Sequence, residues 1–170
     1  MPRPYQWIGG LAGGWLSTVV SASSLPDSAW PPALDLDHVL VQTSLLTRHF
    51  DPDPEHINQQ KLISIELHNP DRWLTGAAWF KNSFDQPTWY VYAGREFPLW
   101  QVAGEINIRA KLTGGLLRGY KGEYRDKIPL NHFEIAPALL PSIGVQWGRV
   151  ESDLIIFGTA GMMVTAGLRF

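Results

Sequence analysis

The chain contains no cysteine in 170 residues, which excludes disulfides, thiolate metal centres and cysteine nucleophiles. Charge is scarce as well. Asp, Glu, Lys and Arg make up 18% of the residues, against about a quarter in ordinary soluble domains. The net charge of −2 gives no broad basic field, so nucleic acid is not an expected partner. No stretch reaches the roughly 20 uninterrupted apolar residues of a membrane helix, and no internal repeat or low-complexity tract is present. If such a chain enters a membrane, it must cross as strands.

What is present begins with a leader-like segment. A single basic residue, Arg3, precedes an uncharged stretch from Trp7 to Val20 and then small residues, with Val20-Ser21-Ala22 resembling a cleavage site. Residues 1–22 are therefore expected to be a signal peptide. Residues 23–36, with Pro26, Pro31 and Pro32, read as a Pro-rich N-terminal segment. Residues 37–170 read as the folded unit.

Within that unit the apolar period is two. At the end of the chain Met162, Val164, Ala166, Leu168 and Phe170 share one face, and Met163, Thr165, Gly167 and Arg169 the other. In 105–120, Ile106, Ile108, Ala110, Leu112 and Leu116 oppose Asn107, Arg109, Lys111 and Thr113. In 60–68, Ile63, Ile65 and Leu67 oppose Ser64, Glu66 and His68. Cations opposite an unbroken aliphatic stripe suit a strand with a lipid face and a polar lumen face. Similar segments recur near 38–49, 72–83, 88–97, 133–148 and 151–159. Short links at 69–71 and 148–150 and a middling one at 98–104 alternate with long charged ones at 50–59 and 119–132. The fold expected is all-β: an eight-stranded antiparallel transmembrane β-barrel of the outer-membrane type. Eight Trp, seven Phe and five Tyr, several near strand ends (Trp73, Phe84, Trp89, Phe97, Trp100, Tyr120, Trp147 and Phe170), suit the aromatic girdles of such barrels.

A barrel of this size is filled by side chains or one small ligand, so chemistry is expected at the loops. The stretches 47–60, 79–90 and 118–133 all fall at one end by strand direction. A serine near an imidazole is what acyl transfer requires, because the hydroxyl is a poor nucleophile until a base takes its proton. Ser83 with His49 is the pair favoured, and His56 is the rival base. The histidines near Asp51, Asp53 and Glu55 have no diagnostic metal spacing, and neither a metal nor a soluble cofactor is expected. His68, at the opposite end, is expected to be structural. Pro137 and Pro141 lie on one strand. Since proline gives no ladder donor, they mark either a bulge or a break in the wall through which an acyl chain enters.

Two segments carry a family resemblance. "AAWFKNSFDQPTWYVYAG" (77–94) and "IPLNHFEIAPALLPSIGVQWG" (128–148) resemble the PagP family of outer-membrane lipid A palmitoyltransferases, well over the C-terminal half and elsewhere in layout. The resemblance implies transfer of an acyl chain from a phospholipid donor to lipid A or another glycolipid acceptor, with the chain held inside the barrel. It matches Ser83 to the family serine and puts Asn82 where the family has aspartate, with Asp85 as a possible substitute charge. Ungapped counting puts Gly94 at the acyl-pocket floor, and Pro137 and Pro141 flank a lateral entrance. Trp79, Leu117, Leu140 and Met163 are expected to line the pocket above the inward charges Glu66, Arg109, Lys111 and Asp153. A long N-terminal amphipathic helix of the family is replaced here by the Pro-rich segment. The expected setting is a monomer in the bacterial outer membrane, surrounded by its lipid and inserted by the barrel assembly machinery. Two other readings stay open: a non-enzymatic barrel for envelope integrity or small-solute passage along Arg109 and Lys111, and an outer-membrane esterase or deacylase.

Overall fold

The computed structural model describes residues 35–51 and 61–170. The expected signal peptide, nearly all of the Pro-rich segment, and His56 lie outside the described residues. Strands β1 (His38–His49), β2 (Ile63–His68), β3 (Trp73–Lys81), β4 (Pro87–Val102), β5 (Ile106–Arg118), β6 (Ile135–Trp147), β7 (Val150–Ile156) and β8 (Gly161–Arg169) pair in order. The sheet closes into a barrel through β1 and β8. Closure leaves no edge strand, and the described residues include no α-helix.

The side-chain distribution is inverted relative to a water-soluble barrel. Ile63, Ile65, Leu116, Leu139 and Trp147 lie outside and are exposed, whereas Glu66, Arg109, Lys111, Glu151 and Asp153 are buried in the lumen. That is the arrangement of an outer-membrane-type barrel, in which lipid takes the place of a second apolar layer. The alternating faces read from the sequence on β2, β5 and β8 are those observed. Exposed Trp100, Trp147 and Phe170 sit toward the short-turn end and Trp89 toward the long-loop end, as interfacial rings do.

The lumen has two layers. Near the turn end, Lys111 Nζ meets Glu66 Oε2 at 2.7 Å and Asp153 Oδ2 at 3.2 Å. Arg109 donates from Nε to Glu96 at 2.8 Å and from Nη2 to Glu151. His68 bonds Glu66 at 2.9 Å, and so belongs to this structural network. Toward the loops the filling becomes apolar: Leu62, Leu74, Ala78, Tyr90, Tyr92 and Met163, with Phe80, Leu117, Leu140 and Phe157 against them. Tyr92 lies across Gly76, where any Cβ would strike its ring, and donates to Glu66 at 2.9 Å. Its ring stacks on Tyr90 at 4.6 Å, and this pair separates the two layers.

Three expectations change. The segment expected to end near residue 97 continues to Val102, because Pro98 lies at a bulge where its missing N–H is tolerated; the link at 98–104 shrinks to a tight turn. Trp79 faces outward, in register with exposed Ile63 and Trp89, since the inward parity of β3 runs through Leu74, Ala78 and Phe80. Phe84 and Tyr120, read as girdle rings, pack on the loops instead.

The wall is incomplete at the loop end. β6 pairs with β7 only over Ser142–Trp147, whereas its pairing with β5 runs unbroken from Ile135. Pro137 and Pro141 both fall in the stretch that lacks a strand on the β7 side, with no bulge against β5. The ladder is therefore missing on the β7 side of both prolines, and no bulge accounts for them. Between β1 and β2 the ladder runs to Thr43, and Leu62 continues the seam, its N–H donating to Ser44 Oγ at 2.9 Å.

Candidate functional site

The loop-end rim brings together residues from β1, the β3–β4 hairpin and the β5–β6 loop. On β1 the inward parity runs His38, Leu40, Gln42 and Ser44, which would leave His49 outside. A bulge between Ser44 and Leu46 corrects this. Leu45 and Leu46 both point out, 64% and 59% exposed, and the extra residue turns Thr47 and His49 toward the lumen.

The hairpin is built by Asn82. Its Oδ1 accepts from the N–H groups of Phe84 and Gln86, both at 3.0 Å, and its Nδ2 donates to Gly119 O at 3.4 Å. Asp85 N–H donates to Asn82 O at 3.0 Å, and Asp85 takes the left-handed conformation (φ 59°) that Asp tolerates. Ser83 occupies the first corner of this turn and is 7% exposed. His49 Nε2 and Ser83 Oγ are 2.7 Å apart, a separation that permits direct proton transfer. The pairing favoured from the sequence is thus present as a hydrogen bond.

Asn82 and Asp85 do other work than that expected of them. The fully buried Asn82 amide forms the turn and anchors it to Gly119. The Asp85 carboxylate binds Lys81 Nζ at 2.6 Å on the exposed outside. Asn82→Asp, which writes in the family residue, is therefore expected to destabilise the barrel by about 1–3 kcal/mol. The new oxygen would face the Gly119 carbonyl in place of a donor. Denaturant unfolding in detergent checks this, and a variant as stable as wild type would show that the Gly119 contact is dispensable.

The third contributor to the rim is Tyr120, from the β5–β6 loop. Burial pushes the phenol up to about 12, so it stays protonated. Gly119 lets the loop pass close to Thr88: a Cβ there would lie 2.7 Å from Thr88 Cα. The loop is locked to the hairpin by reciprocal bonds between Gln86 and Lys121, Nε2 to O at 3.3 Å and N–H to Oε1 at 3.0 Å. Phe84 stacks on Tyr124 at 4.0 Å and meets Tyr120 edge-on at 6.2 Å. Asn131 Nδ2 donates to Tyr120 O at 3.1 Å.

Beneath the rim, Leu117, Leu140 and Met163 belong to the apolar filling of the lumen, and Phe80 packs there in the place expected of Trp79. Gly94 faces the lumen but lies deeper. Its register partner Thr113 is reached by the Tyr90 hydroxyl at 3.3 Å, so the tyrosine pair lies between Gly94 and that apolar filling. Phe80 was the residue that sequence reasoning missed, and the parity of β3 would have found it.

At the opposite end the barrel opens into a polar cavity of about 750 Å³ lined by residues such as Asp37, His38, Glu96, Arg109 and Arg169. No protein-family profile matches the sequence, and no curated protein is similar to it.

Proposed function

We propose that this protein is an outer-membrane acyltransferase, which moves a fatty acyl chain from a phospholipid to lipid A or a similar glycolipid, as its PagP-like segments imply. The observation that carries this reading is the 2.7 Å contact of His49 Nε2 with Ser83 Oγ, set above an apolar layer of the lumen. Pro137 and Pro141 lie where β6 has no ladder with β7. The long-loop end faces outward in this class of barrel, so the pair meets the leaflet that carries glycolipid.

In the reaction, His49 takes the Ser83 proton as Oγ attacks the ester carbonyl of the donor. The tetrahedral intermediate collapses, and His49 returns the proton to the departing glycerol oxygen. The acyl chain stays on Ser83 until an acceptor hydroxyl, deprotonated by His49, displaces it. An aliphatic tail entering the apolar layer would meet Leu117, Leu140, Met163 and Phe80. Solute passage is the weaker reading. Lys111 and Arg109, the cations that would line a pore, are at most 4% exposed and bound to carboxylates.

Mass spectrometry of lipids from a Gram-negative host expressing the protein tests the proposal. The expected result is lipid A heavier by one acyl chain, with a matching rise in lysophospholipid. Lysophospholipid and free fatty acid with unchanged lipid A would favour the esterase reading. No change in either lipid would overturn acyl transfer.

A further inference from the structure

The outward face of β2–β5 carries, toward the loops, a row of register partners: Ile63, Trp79, Trp89 and Arg118. The two indoles mark the level where acyl chains give way to headgroups. Arg118 is exposed beside Trp89, and Lys61 and Lys81 stand exposed on the same face, two residues nearer the loops than Ile63 and Trp79. Lys81 is paired with Asp85 at 2.6 Å. Lys61 and Arg118 have no carboxylate partner among the described residues. By contrast, the loop-end halves of β6, β7 and β8 carry no Lys or Arg.

Below the tryptophan row the same four strands enclose a groove of about 630 Å³ on the outer wall. Its floor is the small residues Thr75, Ala77, Ala93 and Gly114, side by side on β3, β4 and β5, with Leu67 and Leu116 as its banks. We infer that this wall is a binding site for a phosphorylated glycolipid of the outer leaflet, with its phosphates at Lys61, Lys81 and Arg118 and an acyl chain in the groove.

Neither half makes the assignment alone. In lipid no hydrophobic drive seats a chain in a groove, so close packing on small residues has to hold it. The cations above fix the head by charge, and the Arg118 fork suits a phosphate in particular. Their spacing selects the head. Three strand spacings, about 14 Å, separate β2 from β5, a span that a headgroup phosphorylated at both ends covers better than a single phosphodiester. The inference needs the outward orientation of the loop end but no acyl-transfer step, and the site lies on the opposite side of the sheet from the lumen.

The test uses the full-length protein refolded in detergent. Native mass spectrometry follows its titration with bisphosphorylated lipid A, fully dephosphorylated lipid A and phosphatidylglycerol. Wild type is expected to bind the bisphosphorylated lipid most tightly. The double variant Lys61→Gln, Arg118→Gln is expected to bind it roughly 20-fold more weakly, from about fivefold per cation. Ala93→Leu, which fills the groove with the charges intact, is expected to weaken binding roughly threefold. Arg149→Gln, which removes an exposed cation at the opposite end, and Ser83→Ala should bind as wild type does. Binding by Ser83→Ala separates this site from the reactive pair, so acyl transfer can fail while the inference stands. Gel mobility before and after heating reports that each variant is folded. A folded double variant that binds like wild type overturns the inference, as does equal retention of dephosphorylated lipid A. Equal retention of phosphatidylglycerol overturns the glycolipid as the occupant.

Discussion

Ser83→Ala is expected to lower acyl transfer by roughly 10⁴-fold or more, and His49→Ala by a similar amount. The double variant should lose little beyond either single one, because a nucleophile without its base and a base without its nucleophile fail at the same step. Stability should change little. Ser83→Ala deletes one hydroxyl from a half-open rim, which costs about 1–2 kcal/mol at most, and the remaining hydrogen bonds of the turn belong to Asn82. Lipid A mass and lysophospholipid yield measure the effect, with heat-dependent gel mobility as the folding control. If His49→Ala keeps wild-type activity, the base lies elsewhere, and His56, the rival base read from the sequence, becomes the candidate. If Ser83→Ala keeps it, the covalent route fails.

That pair was readable from the sequence because strand direction alone places the ends of β1 and the β3–β4 hairpin at one rim. Period-two alternation likewise assigned lipid and lumen faces on β2, β5 and β8, since a one-residue slip would put Arg109 and Lys111 against lipid. It failed where parity shifts locally. The bulge at Leu45 that turns His49 inward is one extra leucine among other apolar residues, with no turn residue to mark it. Pro98 looked like the end of a strand because proline in a ladder is rare, yet at a bulge it removes no needed donor. Trp79 was assigned by size and not by parity, although Ala78 and Gly76 beside it already fix which face is inside. The seating of the β5–β6 loop depends on its crossing Thr88 at Gly119, a long-range contact that period and propensity do not report.

The open β6–β7 seam has a consequence. Near the loops, β7, β8 and β1 pair with one another, and β6 has no ladder with β7 before Ser142. His49 lies on this three-stranded panel and Ser83 on the β3–β4 hairpin, so the hydrogen bond between them ties the panel to another part of the rim. The panel is held at its base by the charged layer, where Gln42 of β1 donates to Asp153 of β7 at 2.7 Å and Arg169 of β8 meets Glu151 of β7 at 3.3 Å.

Arg109→Met should consequently destabilise the barrel more than any loop substitution, by about 3–5 kcal/mol. Arg109 is 2% exposed and binds Glu96, Glu151 and Asp153 together. Its guanidinium fork joins β5 to β4 and β7, a geometry that an ammonium cannot copy. Methionine fills much of the volume but leaves these carboxylates short of a cation in a lumen with little water. Glu151 retains Arg169 and Asp153 retains Lys111, which keeps the loss below complete unfolding. Most of the penalty is the unpaired charge, not the lost attraction. Neutralising Glu96 and Glu151 to Gln in the Arg109→Met background should accordingly recover a large part of it. By contrast Lys81→Ala, which breaks the half-exposed pair with Asp85, should cost under about 1 kcal/mol. Guanidinium unfolding followed by tryptophan fluorescence measures all three. An Arg109→Met barrel within about 1 kcal/mol of wild type would mean that the charged layer is not what holds the base of the panel.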